Sequence, residues 1–292
     1  MSVPETYPIG SARITKIPEM TLQDPGSSLF PQWNADAIQD AAKTLPADFF
    51  GADASELMLS THSWLVQTGT QTVLIDTASG NDKLRPLNLL FNQLKTGWLD
   101  NLRATGVEPE DVDVVLLSHL HVDHVGWNTR LENGRWVPTF PNARYLFSEA
   151  EYQFYADPNN VRDPSDGIFA DSVEPVVAAG LDQRIHADDA TAIPGFAIIR
   201  TPGHSHDHFS FAFTSEGETA FFWGDVMHHP LQLARPDWDS VFCEEPAQAT
   251  ASRHKAIEFA LSHQATVFTT HFAGSSAGKI RQDARGLSWQ PL

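Results

Sequence analysis

Ser118-His119-Leu120-His121-Val122-Asp123-His124 sets three imidazoles and a carboxylate within six residues, directly after the apolar run 112–117. That run reads as a short buried strand. In extended backbone, residues two apart point the same way, so His119 and His121 can grip one ion from the strand end. Asp123 and His124 follow where the chain must turn, and they can aim at a second ion. Neutral imidazole and carboxylate are the usual ligands of zinc and related divalent ions. A single histidine here would read as a solvated loop residue. Four ligand-type residues at the mouth of a buried strand read as a metal motif.

Three further candidates follow strands downstream. His204 comes after Thr201-Pro202-Gly203, Asp225 after Trp223-Gly224, and His271 after Thr269-Thr270. Residues on loops at strand ends are where chemistry is expected. Around them the pattern predicts strands at 57–67 and 72–76, joined by Thr68-Gly69-Thr70 as a hairpin. Further strands are predicted at 143–147, 196–201, 208–214, 219–223 and 266–270. Helices are predicted at 35–44, 87–105 (with a break near Thr96-Gly97 and a stop at Gly106), 148–155 with Ser148 as N-cap, and 246–263. Residues 156–167 read as a loop and 1–50 as an N-terminal arm. Strands with intervening helices in both halves imply an α/β chain with two sheets and helices outside.

The seven residues in this order resemble the metallo-β-lactamase superfamily, which carries His-x-His-x-Asp-His, a His after Pro-Gly, an Asp after a strand and a late His. The resemblance spans roughly residues 57–292. It implies a four-layer αβ/βα sandwich, the metallo-β-lactamase fold, with residues 1–50 as an N-terminal extension on a single domain covering 1–292. It implies that His119, His121 and His204 bind one ion, that Asp123, His124 and His271 bind the other, and that Asp225 bridges them. The family's Asp-Thr-Gly turn reads Asp76-Thr77-Ala78 here, with Asp76 in the position that orients the metal loop. True zinc β-lactamases commonly use a Cys ligand and carry a secretion signal. Asp225 and the lack of a signal-like start make antibiotic hydrolysis a poor first reading.

The expected cofactors are two divalent metal ions, zinc first, with iron, manganese or cobalt as alternatives. Two ions about 4 Å apart can hold a hydroxide that is ionised near neutral pH. The expected activity is hydrolysis of a lactone or related carboxylic ester, because the chain looks most like the branch of acyl-homoserine lactonases and methyl-parathion-type hydrolases. Phosphotriester or phosphodiester hydrolysis is the alternative on the same site, and a di-iron oxygen-handling protein a more distant one. Asp123 is a candidate for moving the proton of the attacking water or leaving group. In that branch a Tyr shortly after the bridging Asp polarises the carbonyl. His228 stands at the third residue after Asp225 and is the candidate donor here, with its neighbour His229 as the competing choice. His208 is expected to support the ligand shell, and His206 to be either a support of that shell or solvent-facing, the second being preferred.

The formal net charge of −18 argues against nucleic acid and against an anionic membrane surface, leaving a small-molecule substrate and a homodimer open. The one cysteine, Cys243, cannot form an intrachain disulfide, which suits a reducing compartment. Residues 1–10 lack an apolar core of signal-peptide length, and no run is long enough for a membrane span. The expectation is a cytoplasmic protein. Phe30, Trp33, Phe49, Phe50 and residues near Trp127 are candidates for an apolar substrate wall.

Overall fold

The computed structural model describes residues 4–43, 45–52, 55–162, 165–186, 193–284 and 286–292. Its chain divides into two compact units, one of residues 1–19 and 61–192 and the other of residues 20–60 and 193–292.

The first unit is built on β1 (Thr6–Ile9), β2 (Ala12–Pro25), β3 (Glu56–Gln67), β4 (Thr72–Ile75), β5 (Val114–Leu116), β8 (Arg144–Ser148) and β9 (Asp182–Ile185), hydrogen-bonded in that order. β2 leaves this unit after Glu19, and β3 enters it at Thr61. The predicted hairpin is present, with Gln67 facing Thr72 across an antiparallel pair. β4, β5 and β8 run parallel, which is why Val114, Val115 and Leu116 are buried as a continuous run. A separate pair, β6 (Thr129–Glu132) and β7 (Arg135–Pro138), forms a small antiparallel sheet.

The N-terminal arm is more ordered than its scattered prolines suggest. Residues 6–15 form the β1–β2 hairpin, and Pro18 is exposed further along β2, a place where a missing N–H is tolerated. The short helix α2 (Ala35–Ala42), which follows the single turn α1 (Gly26–Leu29), agrees with the expected one; Thr44 lies outside the described residues.

The long predicted helix at 87–105 shrinks to α3 (Trp98–Ala104). Residues 82–97 instead form a loop closed by Gln93 N–H donating to the Lys83 carbonyl at 2.7 Å and Asp82 N–H to that of Leu94 at 3.1 Å. Asn92 Oδ1 accepts from Arg85 N–H at 2.7 Å. Lys83 and Arg85 anchor the loop inward. Arg85 makes a two-pronged pair with Asp171 at 2.7 Å, and the Lys83 ammonium lies 3.7 Å from the Trp136 ring centre. These tertiary anchors outweigh helix propensity and leave Leu84, Leu87, Leu89 and Leu90 exposed. α4 (Glu149–Ala156) has the expected cap, Ser148 Oγ accepting from Glu151 N–H. The stretch Phe169–Val173, a π-helical turn running into α5 (Glu174–Ala178), and strand β9 were not foreseen.

The second unit carries β10 (Phe196–Arg200), β11 (Phe209–Ser215), β12 (Glu218–Phe222), β13 (Thr266–Phe268), β14 (Ala277–Asp283) and β15 (Gly286–Pro291) in one sheet, in sequence order. β10, β11, β12 and β13 match the predicted strands. β14 and β15 add a C-terminal hairpin, Asp283 facing Gly286. Two helices follow β12: the single turn α6 (Leu231–Ala234) and α7 (Pro246–Ser262), the latter as expected. Phe30, Phe49 and Phe50 are buried in this unit's core with Trp223 and Phe272. Phe30, Phe49 and Phe50 are therefore core residues rather than a substrate wall, and Trp33 is half-buried against that core. Among the described residues no helix is long and apolar enough to cross a membrane.

Candidate metal centre

In the first unit, β5 delivers the histidine motif and Asp76, at the end of β4, organises it. Asp76 Oδ1 accepts from Ser118 N–H at 2.7 Å, and Oδ2 accepts from Ser118 Oγ at 2.8 Å and His124 Nδ1 at 2.9 Å. This fixes tautomers. A carboxylate can only accept, so His124 carries its proton on Nδ1 and its lone pair on Nε2. The one hydroxyl proton of Ser118 goes to Asp76. Ser118 Oγ must therefore accept from His119 Nδ1, 3.0 Å away, and His119 also presents Nε2 as a lone pair. His121 differs, because its Nε2 lies 3.0 Å from the Tyr155 hydroxyl. A Tyr155 oxygen that takes the Nε2 proton leaves the lone pair on Nδ1. The three rings are packed together, with centroids 4.4 Å apart for His119 and His121 and 4.0 Å for His119 and His124. Asp123 lies at the less buried rim, its Oδ1 3.8 Å from His124 Nε2.

The exit of this loop is clamped against the turn after β4. Thr77 N–H donates to the His124 carbonyl at 2.7 Å, and Gly126 N–H to that of Ala78 at 2.7 Å. A Cβ on Gly126 would stand 1.9 Å from the Ser79 backbone, so only glycine permits this approach. Ala78 occupies the family's glycine position with a left-handed φ of 48°. The departure therefore keeps the glycine-like backbone while adding a methyl group.

In the second unit, three imidazoles face one carboxylate oxygen. Asp225 Oδ2 lies 3.0 Å from His271 Nε2, 3.2 Å from His204 Nε2 and 3.4 Å from His228 Nε2. All four residues are buried. His271 Nδ1 is 3.0 Å from the Ser60 carbonyl, which can only accept, so His271 Nε2 is a lone pair aimed at a carboxylate. Two acceptors at that distance repel unless positive charge lies among them, as a proton on an imidazole or as a metal ion. His204, Asp225 and His228 together have the donor spacing of a metal site. The donor chemistry thus fits a divalent cation.

Asp225 is held from behind by His208, as expected. His208 Nε2 accepts from Asp225 N–H at 2.9 Å, so Nδ1 carries the proton and donates to Thr201 Oγ1 at 2.9 Å. Thr201 can then donate to Ser210 Oγ and Ser210 to the Trp223 carbonyl, a chain of single-direction bonds. His204 is set by Gly203, where a Cβ would meet the Ala249 backbone at 2.1 Å.

The structure separates the adjacent pair His228 and His229. His228 stacks on His271 with ring centroids 5.3 Å apart and planes within 6°. Burial lowers its pKa against the opposing pull of Asp225. His229 turns away: Nε2 donates to the Phe49 carbonyl at 3.0 Å, Nδ1 accepts from Leu231 N–H, and burial brings its pKa to about 4. It is a packing residue. His206 is exposed, as expected. Trp127 stacks on Trp98, with ring centroids 5.4 Å apart.

Four residues escaped sequence reading: Tyr155; Glu151, which accepts from Leu120 N–H at 3.2 Å; Phe242, half exposed with its ring centre 6.3 Å from that of His228; and Cys243, whose Sγ lies 4.0 Å from His204 Nδ1. Burial raises the Cys243 pKa, keeping it a thiol. Only the Ser148 cap hinted at α4, which brings Glu151 and Tyr155 to the motif.

The family model of the metallo-beta-lactamase superfamily matches residues 58–271, a stretch that includes all seven expected ligands. The chain belongs to the metallo-β-lactamase superfamily. Its relatives include the N-acyl homoserine lactonase AttM of Agrobacterium fabrum, 28% identical over 185 residues, covering 60% of this chain and 64% of the relative. An N-acyl homoserine lactonase of Bacillus cereus is 25% identical over 171 residues, covering 55% and 60%. The matches thus span about three fifths of the length of these curated relatives. Among solved structures, the hydrolase AbOPH of the beta lactamase superfamily superposes with a TM-score of 0.82 at 24% identity, covering 100% of this chain and 98% of its own. AidC, a dizinc quorum-quenching lactonase in complex with a product, gives 0.80 at 20% identity, covering 99% and 97%. These likenesses show that the fold is that of the superfamily.

Proposed function

We propose that this chain is a metal-dependent hydrolase acting on a lactone or related carboxylic ester through a dinuclear centre. The observation that carries the reading is the set of buried imidazoles around Asp225 Oδ2, one of them with its tautomer fixed so that a lone pair meets the carboxylate. His119, His121 and His204 would hold one ion, Asp123, His124 and His271 the other, and Asp225 both, with zinc as the first candidate. The ions, when bound, would supply a nucleophilic water at neutral pH and polarise the scissile carbonyl.

The chain's own residues do the rest. Asp76, Ser118 and the Ser60 carbonyl take the outer protons of His119, His124 and His271, so these rings are poised as neutral ligands. Asp123, at the rim, would take a proton from the nucleophile and return it to the leaving alkoxide. His228 is the donor toward the substrate carbonyl oxygen. Its lowered pKa keeps it neutral, with one N–H to offer. Phe242 beside it gives apolar surface for an acyl chain. Both named lactonase relatives support a lactone as substrate.

The test is metal analysis of protein purified without added metal, with rates on an N-acyl homoserine lactone, an aryl ester and an aryl phosphotriester. The expected result is about two equivalents of metal and fastest turnover of the lactone. Metal-free protein that also stays inert after zinc is added would sink the reading, and fastest turnover of the phosphotriester would replace the substrate.

A further inference from the structure

Glu19 lies on β2, roughly a hundred residues before the histidine motif, and no motif surrounds it. Glu19 is half-buried, yet its carboxylate gathers four donors from three separate segments. Oε2 accepts from Ser79 N–H at 2.8 Å. Oε1 accepts from Gly80 N–H at 3.1 Å, from Thr96 Oγ1 at 3.3 Å and from Trp127 Nε1 at 2.9 Å. Ser79 and Gly80 continue the turn that begins with Asp76, and Trp127 is the third residue after His124. The histidine loop therefore has two carboxylate anchors. Asp76 grips its start, at Ser118, and its last ligand, His124. Glu19 ties its exit, at Trp127, to the turn that carries Asp76.

Burying a carboxylate is costly, and all four of these partners are neutral. A site that only needed filling would be served by an apolar side chain at lower cost. What a carboxylate adds is direction: two adjacent backbone N–H groups and an indole N–H are aligned on one group. Gly126, between His124 and Trp127, touches the Ser79 and Gly80 backbone with no room for a Cβ, so a shift of the turn is passed to the loop without slack.

We infer that Glu19 is a positioning residue for the metal motif, fixing the seat of His119, His121, Asp123 and His124 by locking the Ser79–Gly80 turn to Trp127. The inference rests on the proposed metal centre. Its test uses cobalt(II) as probe on the full chain, reading affinity by chelator competition and geometry by the visible ligand-field spectrum. Thermal unfolding of the metal-free proteins is measured alongside. Glu19→Ala is expected to lower cobalt affinity about tenfold and change the spectrum, as removal of outer supports does. Glu19→Gln, isosteric and retaining one acceptor, is expected to recover part of both, and it decides the matter if the alanine variant does not fold. Wild-type affinity and spectrum in the glutamine and alanine variants, with only a lowered melting temperature, would overturn the inference and leave Glu19 a packing residue. Absence of cobalt binding by the wild-type chain would instead strike the metal centre itself.

Discussion

Replacing Asp76 by Asn separates folding from metal binding. The carboxylate makes three buried hydrogen bonds, to Ser118 N–H, Ser118 Oγ and His124 Nδ1. Removing all of it in Asp76→Ala orphans three donors at about 1–3 kcal/mol each, a loss comparable to much of a domain's stability. Asn keeps the size and the acceptor toward Ser118 N–H, so Asp76→Asn is expected to fold with a loss of about 1–3 kcal/mol. Its NH2 group, however, now points where only acceptors were wanted. His124 must offer Nδ1 as a lone pair and move its proton to Nε2. The Ser118 hydroxyl accepts from the amide and turns its proton to His119 Nδ1, which reverses that ring too. Both ligating nitrogens then carry protons. An affinity loss of 10–100-fold, about 1.4–2.8 kcal/mol, is expected from such a change of support. Urea unfolding of the metal-free proteins gives the first quantity and zinc titration against a chelating dye the second. Wild-type zinc affinity in a folded Asp76→Asn protein would refute the tautomer argument, because the ring protons would then not be set by Asp76.

Tyr155→Phe removes the hydroxyl partner of His121 Nε2 and is expected to weaken zinc binding about tenfold while leaving the melting temperature of the metal-free protein nearly unchanged. Gly126→Ala forces a methyl group into the Ser79 backbone and should cost about 1–3 kcal/mol or more, measured by urea unfolding, with metal binding impaired in whatever folds. Phe242→Ala should raise KM for a long-chain lactone about fivefold with kcat retained, the loss of a contact worth about 1 kcal/mol, and should leave a short-chain lactone unaffected. Lys83 supplies a pH signature. Burial lowers its pKa from 10.5 to about 7, against the pull of Asp171. Between those values the unfolded chain binds the extra proton, so its contribution to stability rises as pH climbs from about 7 to 10.5 and is lost as pH falls through 7. Lys83→Met should flatten the stability curve in that window relative to wild type.

The histidine loop and its strand were legible in the sequence because the signal is local. An apolar run fixes β5, and His119, His121, Asp123 and His124 follow without interruption. His204, Asp225 and His271 were legible for the same reason, each following a strand whose pattern is clear. Their partners were hidden because they depend on long-range contacts. Nothing near Glu19 shows that Trp127 will donate to it, and Ser60 enters only as a backbone carbonyl, which has no residue identity to read. The loop at 82–97 misled for a related reason. Its leucines carry a helical spacing, but the inward anchors Lys83 and Arg85 decide its path through Asp171, more than seventy residues away in sequence. The arm's aromatics show the limit from the other side, since composition marks Phe30, Phe49 and Phe50 as apolar without saying whether they fill a core or face a ligand.

The supports of the candidate ligands share a chemical logic that explains why so few are charged. A carboxylate behind every imidazole would add negative charge beside the acidic candidates Asp123 and Asp225. It would also favour imidazolium over the neutral ligand form. Here Asp76 serves two rings, one directly and one through Ser118, while His271 leans on the Ser60 carbonyl and His208 on the Thr201 hydroxyl. A neutral carbonyl fixes a tautomer because it can only accept, and a hydroxyl does so once its single proton is committed elsewhere. The lone pairs are therefore aimed in advance, and a cation that bound there would not have to supply the free energy to orient them.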